Sequence, residues 1–127
     1  MTPYVSHWIT RAAEDIRTIA LLLREDGPPN PICFHAQQAA EKYLNGFLAS
    51  RGIHIRKVHD LGSTLTTCEE VDNAFETLRD EAKYLDQFYL EARYSTEIPT
   101  FTRADAHRAA EAARRVKELV LPKIEQQ

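Results

Sequence analysis

Apolar residues recur at spacings of three and four along almost the whole chain, and no stretch sustains an alternation of period two. Four long amphipathic helices are therefore predicted. In the first, Val5, Trp8, Ala12, Ile16, Ile19 and Leu23 form one stripe, and Thr2 followed by Pro3 supplies a cap and a tolerated first-turn proline. The segment "DGPPNP" at 26 to 31 breaks the chain, and Asn30–Pro31 repeats the start signal. The second helix runs from there to Gly52. A connector, "IHIRKVHDLG", leads to a short helical turn from Ser63 to about Val71. Asp72 is placed to cap a third long helix with Phe75, Leu78, Ala82, Leu85 and Tyr89 on its core side, ending before Pro99. Thr102 and Asp105 form a capping box with Asp in place of Glu. The fourth helix then buries Ala106, Ala109, Ala113, Val116, Val120 and Ile124, with Pro122 expected to bend or fray its end.

The second helix carries an unusual amount of polarity for its position. At about 100° per residue, Ile32, Cys33, Ala36, Ala39, Ala40, Tyr43, Leu44 and Phe47 fall on one side. Phe34, Gln38, Lys42 and Asn45 fall on the other, with Gln37, Glu41 and Leu48 along one boundary. His35, Gln38 and Lys42 share a stripe by their three- and four-residue spacing. A solvated face would explain the charges. A large aromatic beside two glutamines points instead to an association surface made of Phe34, His35, Gln38, Lys42 and Asn45.

Composition narrows the class. The chain of 127 residues, 43% hydrophobic and 28% charged, is expected to fold as one domain over residues 1–127: an all-α, up-down-up-down antiparallel four-helix bundle with the extra turn between its second and third long helices. No apolar run is long enough to span a membrane, and the N-terminus lacks a secretory pattern, so a cytoplasmic location is expected. Cys33 and Cys68 make neither a CxxC pair nor a metal set, and four glycines leave no phosphate-cradling loop. His54 and His59 lack further ligands at zinc spacing; neither a metal nor a cofactor is expected. The net charge of −3 gives no global attraction to nucleic acid. Local basic runs stand at Arg56–Lys57 and along 103 to 117, where interleaved acids favour ordinary surface pairing over phosphate tracking.

Several blocks together carry a resemblance: Trp8, Ala12 and Asp15, then "FHAQQAAEKYLNGFL", "HDL" at 59 to 61, and "YLEARY" at 89 to 94. From about residue 6 to residue 121 the chain resembles a HEPN (higher-eukaryote and prokaryote nucleotide-binding) domain. The resemblance implies a helical bundle in a small prokaryotic protein, frequently dimeric and often encoded beside a minimal nucleotidyltransferase in a two-component or toxin–antitoxin-like pair. Some members are metal-independent RNases; others are proposed to bind nucleotides or to serve as substrate-binding partners.

The RNase branch shares an arginine followed, after four to six residues, by a histidine. Imidazole can move a proton from a ribose hydroxyl while guanidinium stabilises charge on the phosphate. Arg93 stands where the resemblance places the arginine, but positions 98, 99 and 100 hold Ile98, Pro99 and Thr100. Arg103 and His107 are separated by three residues, Arg51 and His59 by seven. The motif is absent, and no catalytic residue is assigned. The expected function is a non-catalytic module binding a nucleotide or RNA near Arg93, Tyr94 and His59, as a homodimer or with a nucleotidyltransferase partner. A divergent RNase using Arg93 with a displaced His59 or His107 is the competing reading, and a pure interaction scaffold the third. Structural alternatives accompany each residue: Arg93 in an ion pair with Asp86 or Glu91, and Asp60 as a helix cap beside a packed His59.

Overall fold

A computed structural model describes residues 1–58, 60–89 and 100–125. Its elements are all helical: α1 Pro3–Arg24, α2 Pro29–Ser50, α3 Leu61–Val71, a 3-10 segment Asn73–Leu78, α4 Arg79–Asp86 and α5 Arg103–Glu125, with no strand among the described residues. Thr2 caps α1 by accepting from the Val5 N–H at 3.2 Å. The chain leaves α1 through Asp26 at φ 58°, which lets the Gly27 N–H reach the Leu22 carbonyl at 2.7 Å. Asp60 caps α3 through Ser63. Thr102 and Asp105 exchange the reciprocal bonds of the expected capping box at 2.9 and 3.0 Å.

Four local expectations are corrected. Helix α2 opens at Pro29 without a side-chain cap, and Asn30 instead accepts from the Phe101 N–H at 3.0 Å, tying the approach to α5 onto the start of α2. The extra turn is a full eleven-residue helix. The third long helix is divided, because Asp72 caps a 3-10 start at Ala74 and Thr77 bonds back to the Ala74 carbonyl. Since α4 ends at Asp86, the register shifts by one residue, and Phe88 rather than Tyr89 is buried. Helix α5 continues through Pro122 to Glu125.

The helix directions follow from cross-helix contacts. Asp15 of α1 bonds to His35 and Lys42, while Ile9 and Trp8 pass over Gly46, so α1 and α2 are antiparallel. Arg103 reaches Asp26, and Lys123 reaches Asp72 beside Phe75, which packs on Phe47; α5 therefore runs alongside α2 in the same sense. Glu81 with Arg115 and Tyr84 with Asp105 set α4 antiparallel to α5. These contacts are consistent with the expected up-down arrangement of the four long units. The connector after Gly52 (φ 71°) returns along the bundle; Leu61 then meets Asp86 and Glu69 meets Arg79, so α3 is antiparallel to α4 and parallel to α2.

Helix α2 is the hub. Every residue of its expected apolar arc is buried, and so are Gln37, Asn45, Gly46 and Leu48. A helix buried on nearly every side has neighbours on nearly every side. Alanines 36, 39 and 40, fully buried, keep those neighbours close.

Candidate functional site

Asp15 lies on the apolar stripe of α1 between Ala12 and Ile19, and it too is buried. Its two oxygens are used separately: Oδ1 pairs with His35 Nδ1 at 2.9 Å, and Oδ2 accepts from Lys42 Nζ at 2.6 Å. The two basic positions are seven residues apart, two turns of α2, so both reach one carboxylate on the facing helix. Two members of the expected association stripe are thus turned onto α1 within the same chain. Asn45, placed on the outer face by the periodicity, is buried as well. Gln38 donates to Gln37 Oε1 at 2.7 Å and reaches Glu41 at 3.5 Å. The Gln37 side chain is fully buried, and its amide nitrogen has no partner among the described residues. Phe34 is half-buried, with the His35 ring edge-on to it at 5.5 Å between centres.

The expected ligand residues Arg93, Tyr94 and His59 lie outside the described residues, as does Glu91. What flanks them in the chain is defined. Asp86, at the end of α4, accepts from the backbone N–H groups of Leu61 and Gly62 at 2.6 and 3.3 Å, so both its oxygens serve the N-terminus of α3. Burial pushes the Asp86 carboxyl above the usual carboxylate range, with nearby Asp60 adding to the rise while the two N–H donors oppose it. Phe88 packs edge-on against Tyr84 and Phe101 at 5.3 and 4.7 Å, joining the end of α4 to the approach to α5 through an aromatic cluster.

On helix α5, Arg103 is drawn to Asp26 at 2.5 Å, and His107 is exposed. Arg114 is held by Glu111 and Glu118. A cleft of 180 Å³ between α4 and α5 is lined by Asp80, Glu81, Tyr84, Arg108, Glu111 and Arg115. The Arg108 guanidinium lies 3.8 Å from the Tyr84 ring centre, and one Glu81 oxygen takes Arg115 while the other is buried without a partner among the described residues. Burial and the bond to Asp105 push the Tyr84 hydroxyl up to about 12. Burial likewise pushes both thiols up to about 12, which removes Cys33 and Cys68 as nucleophiles near neutral pH. Among the described residues no cluster of three or more His, Cys, Asp or Glu side chains could hold a metal ion. None of the helices is long and apolar enough to cross a membrane, counted over the same residues.

A sequence model of the HEPN domain matches residues 5–124. The chain belongs to the HEPN family. Two solved structures are similar to it over nearly their full length. TT1696 from Thermus thermophilus is 28% identical with a TM-score of 0.83, covering 96% of this chain and 99% of its own. ST0689, described as an archaeal HEPN homologue, is 28% identical with a TM-score of 0.78, covering 94% and 97% respectively. No curated protein matches the chain. For a HEPN domain, the feature that residue-by-residue reading passes over is Asp15 as the buried tie between α1 and α2. A signal is present: an acid at the three- and four-residue spacing of Ala12 and Ile19, facing a helix with basic residues seven apart.

Proposed function

We propose that this HEPN domain is a non-catalytic module that binds a nucleotide or nucleic-acid phosphate near Arg93, Tyr94 and His59, working as a homodimer or beside a nucleotidyltransferase. One observation carries the non-catalytic part: no arginine of the chain is followed by a histidine after four to six residues, and Arg103, three residues before His107, is ion-paired with Asp26 instead. Phe34 and Gln38 are only half-buried, which fits an association surface on α2. Purified protein should bind nucleotide saturably, lose that binding in Arg93→Ala, and leave RNA uncut. RNA cleavage that disappears in Arg93→Ala would refute this reading. Sedimentation should show a dimer that becomes a monomer in Phe34→Glu.

One feature favours an enzyme as the second reading. Asp15 anchors His35 Nδ1, the arrangement that leaves Nε2 of an imidazole as the proton acceptor. Cleavage lost in His35→Ala but kept in Lys42→Met would select it.

A further inference from the structure

Between Glu41 and Asp60 the sequence has no acidic residue, while Lys42, Arg51, Arg56 and Lys57 give that stretch four positive charges in a chain whose net charge is −3. Lys42 is spent on Asp15. The other three lie at the start of, or along, the connector that returns along the outside of the bundle. Residues 53 to 58 form no helix and turn tightly at Lys57, where the Val58 N–H reaches the Arg56 carbonyl at 2.9 Å; Ile53 and Ile55 pack on the core, while His54, Arg56 and Lys57 are exposed.

Several cations elsewhere are ion-paired within the chain, among them Arg79 with Glu69, Arg103 with Asp26, Arg115 with Glu81 and Lys123 with Asp72, whereas Arg17, Lys83, Arg108 and Lys117 stand scattered without an ion pair among the described residues. On the connector, among the described residues, none is ion-paired. Arg51 lies over the Phe47 ring at 4.7 Å and donates to the Ser50 hydroxyl. The nearby Asp72 feels the Arg51 charge but gives its bond to Lys123. Arg56 donates to the Thr67 hydroxyl at 3.3 Å, which fixes its head beside α3 without cancelling its charge. Lys57 and His54 have no hydrogen bond or ion pair among the described residues. Three exposed cations close together in the chain, with no acidic residue between Glu41 and Asp60, produce a local positive potential that suits a polyanion.

We infer that this connector is a phosphate-tracking surface for the backbone of single-stranded nucleic acid. It goes beyond the nucleotide site proposed above, because it recognises a polymer by its repeated charge. No Phe, Tyr or Trp stands on the connector from 53 to 58, so recognition rests on charge rather than on a stacking platform.

The test measures binding of a labelled 20-nucleotide RNA and of a mononucleotide across a salt series. In Arg51→Gln/Arg56→Gln/Lys57→Gln, RNA affinity should fall at least about tenfold. The slope of log K against log salt should flatten by about 2, since each lost phosphate contact removes about 0.7. Mononucleotide binding should be unchanged. Arg56→Gln/Lys57→Gln, which spares the Arg51–Phe47 contact, should flatten it by about 1.4 with the helical circular dichroism intact. Arg17→Gln/Lys83→Gln removes two charges away from the connector and should leave the slope unchanged. Equal slopes in wild type and the triple variant overturn the inference, as does absence of RNA binding by wild type. Competition by polyglutamate as strong as by RNA overturns it in favour of an acidic protein partner. Loss of mononucleotide binding in none of the variants except Arg93→Ala keeps the two sites separate; no mononucleotide binding at all sinks the nucleotide site and leaves the RNA result standing.

Discussion

Asp15 is the residue on which two helices agree. Its side chain is 10% exposed, against 30% for His35 and 25% for Lys42, so water reaches both basic groups but hardly reaches the anion. Removing one partner of a fully buried pair costs about 3–5 kcal/mol. Partial solvation of the basic groups lowers that figure, and Asp15→Asn should destabilise by about 2 kcal/mol. Urea unfolding measures it, and a midpoint unchanged within error would show that α1 docks by apolar contact alone. Adding Lys42→Met to Asp15→Leu should recover part of the loss, because an apolar pair in the same place leaves no stranded charge. This cluster also explains what the sequence can and cannot disclose about the polar residues of α2. Periodicity locates His35 and Lys42 on a stripe, but it cannot say that the stripe faces another helix of the same chain. The facing acid, twenty residues before His35, decides that.

At the scale of elements, α2 is readable in full on its apolar side and only in part on its polar side. Its arc from Ile32 to Phe47 is buried as a 3.6-residue repeat requires. Gln37 and Asn45 are buried too, since a central helix has no face to spare for solvent. The division of the third long helix is not legible, because Phe75, Leu78, Ala82 and Leu85 keep helical spacing across the 3-10 turn. Only the hydrogen bonds of Asp72 and Thr77 mark the change. The crossing of α1 over α2 supplies a sharper prediction. A Cβ on Gly46 would stand 2.7 Å from the Ile9 Cδ1 and 3.4 Å from the Trp8 Cβ. The Ile9 methyl can rotate away, so Gly46→Ala should change stability by less than about 1 kcal/mol, helix propensity offsetting the crowding. Gly46→Leu has no such escape and should cost about 3 kcal/mol, the upper end for an overpacked core, in thermal or urea unfolding.

For the whole molecule, the buried titratable groups set an alkaline limit. The folded thiols of Cys33 and Cys68 are raised from 9.0 to about 12, and the Tyr84 hydroxyl from 10.0 to about 12. Each is neutral when protonated, so above its unfolded pKa the unfolded chain holds fewer protons than the folded one. The thiols' stabilising contribution is complete below pH 9, declines between pH 9 and about 12, and is gone above that. Urea midpoints measured across about pH 8 to 11 should fall, and Cys33→Ala/Cys68→Ala should flatten the fall. A steeper decline in the double variant would count against the thiols as its source. The HEPN assignment and the helical bundle are both visible without coordinates, the first from "AQQAAEK" with "HDL" and "ARY", the second from helical spacing. The sequence names Arg93, Tyr94 and His59 for the ligand site, and all three lie outside the described residues.

The returning connector has a topological consequence. It is the one covalent passage between the α1–α2 hairpin and the remaining helices, and it lies on the outside. A backbone cut between Arg56 and Lys57 would therefore sever no helix. The two pieces would still present matched surfaces, Leu44 and Phe47 on one and Cys68 and Phe75 on the other, and mixed fragments are expected to regain helical circular dichroism.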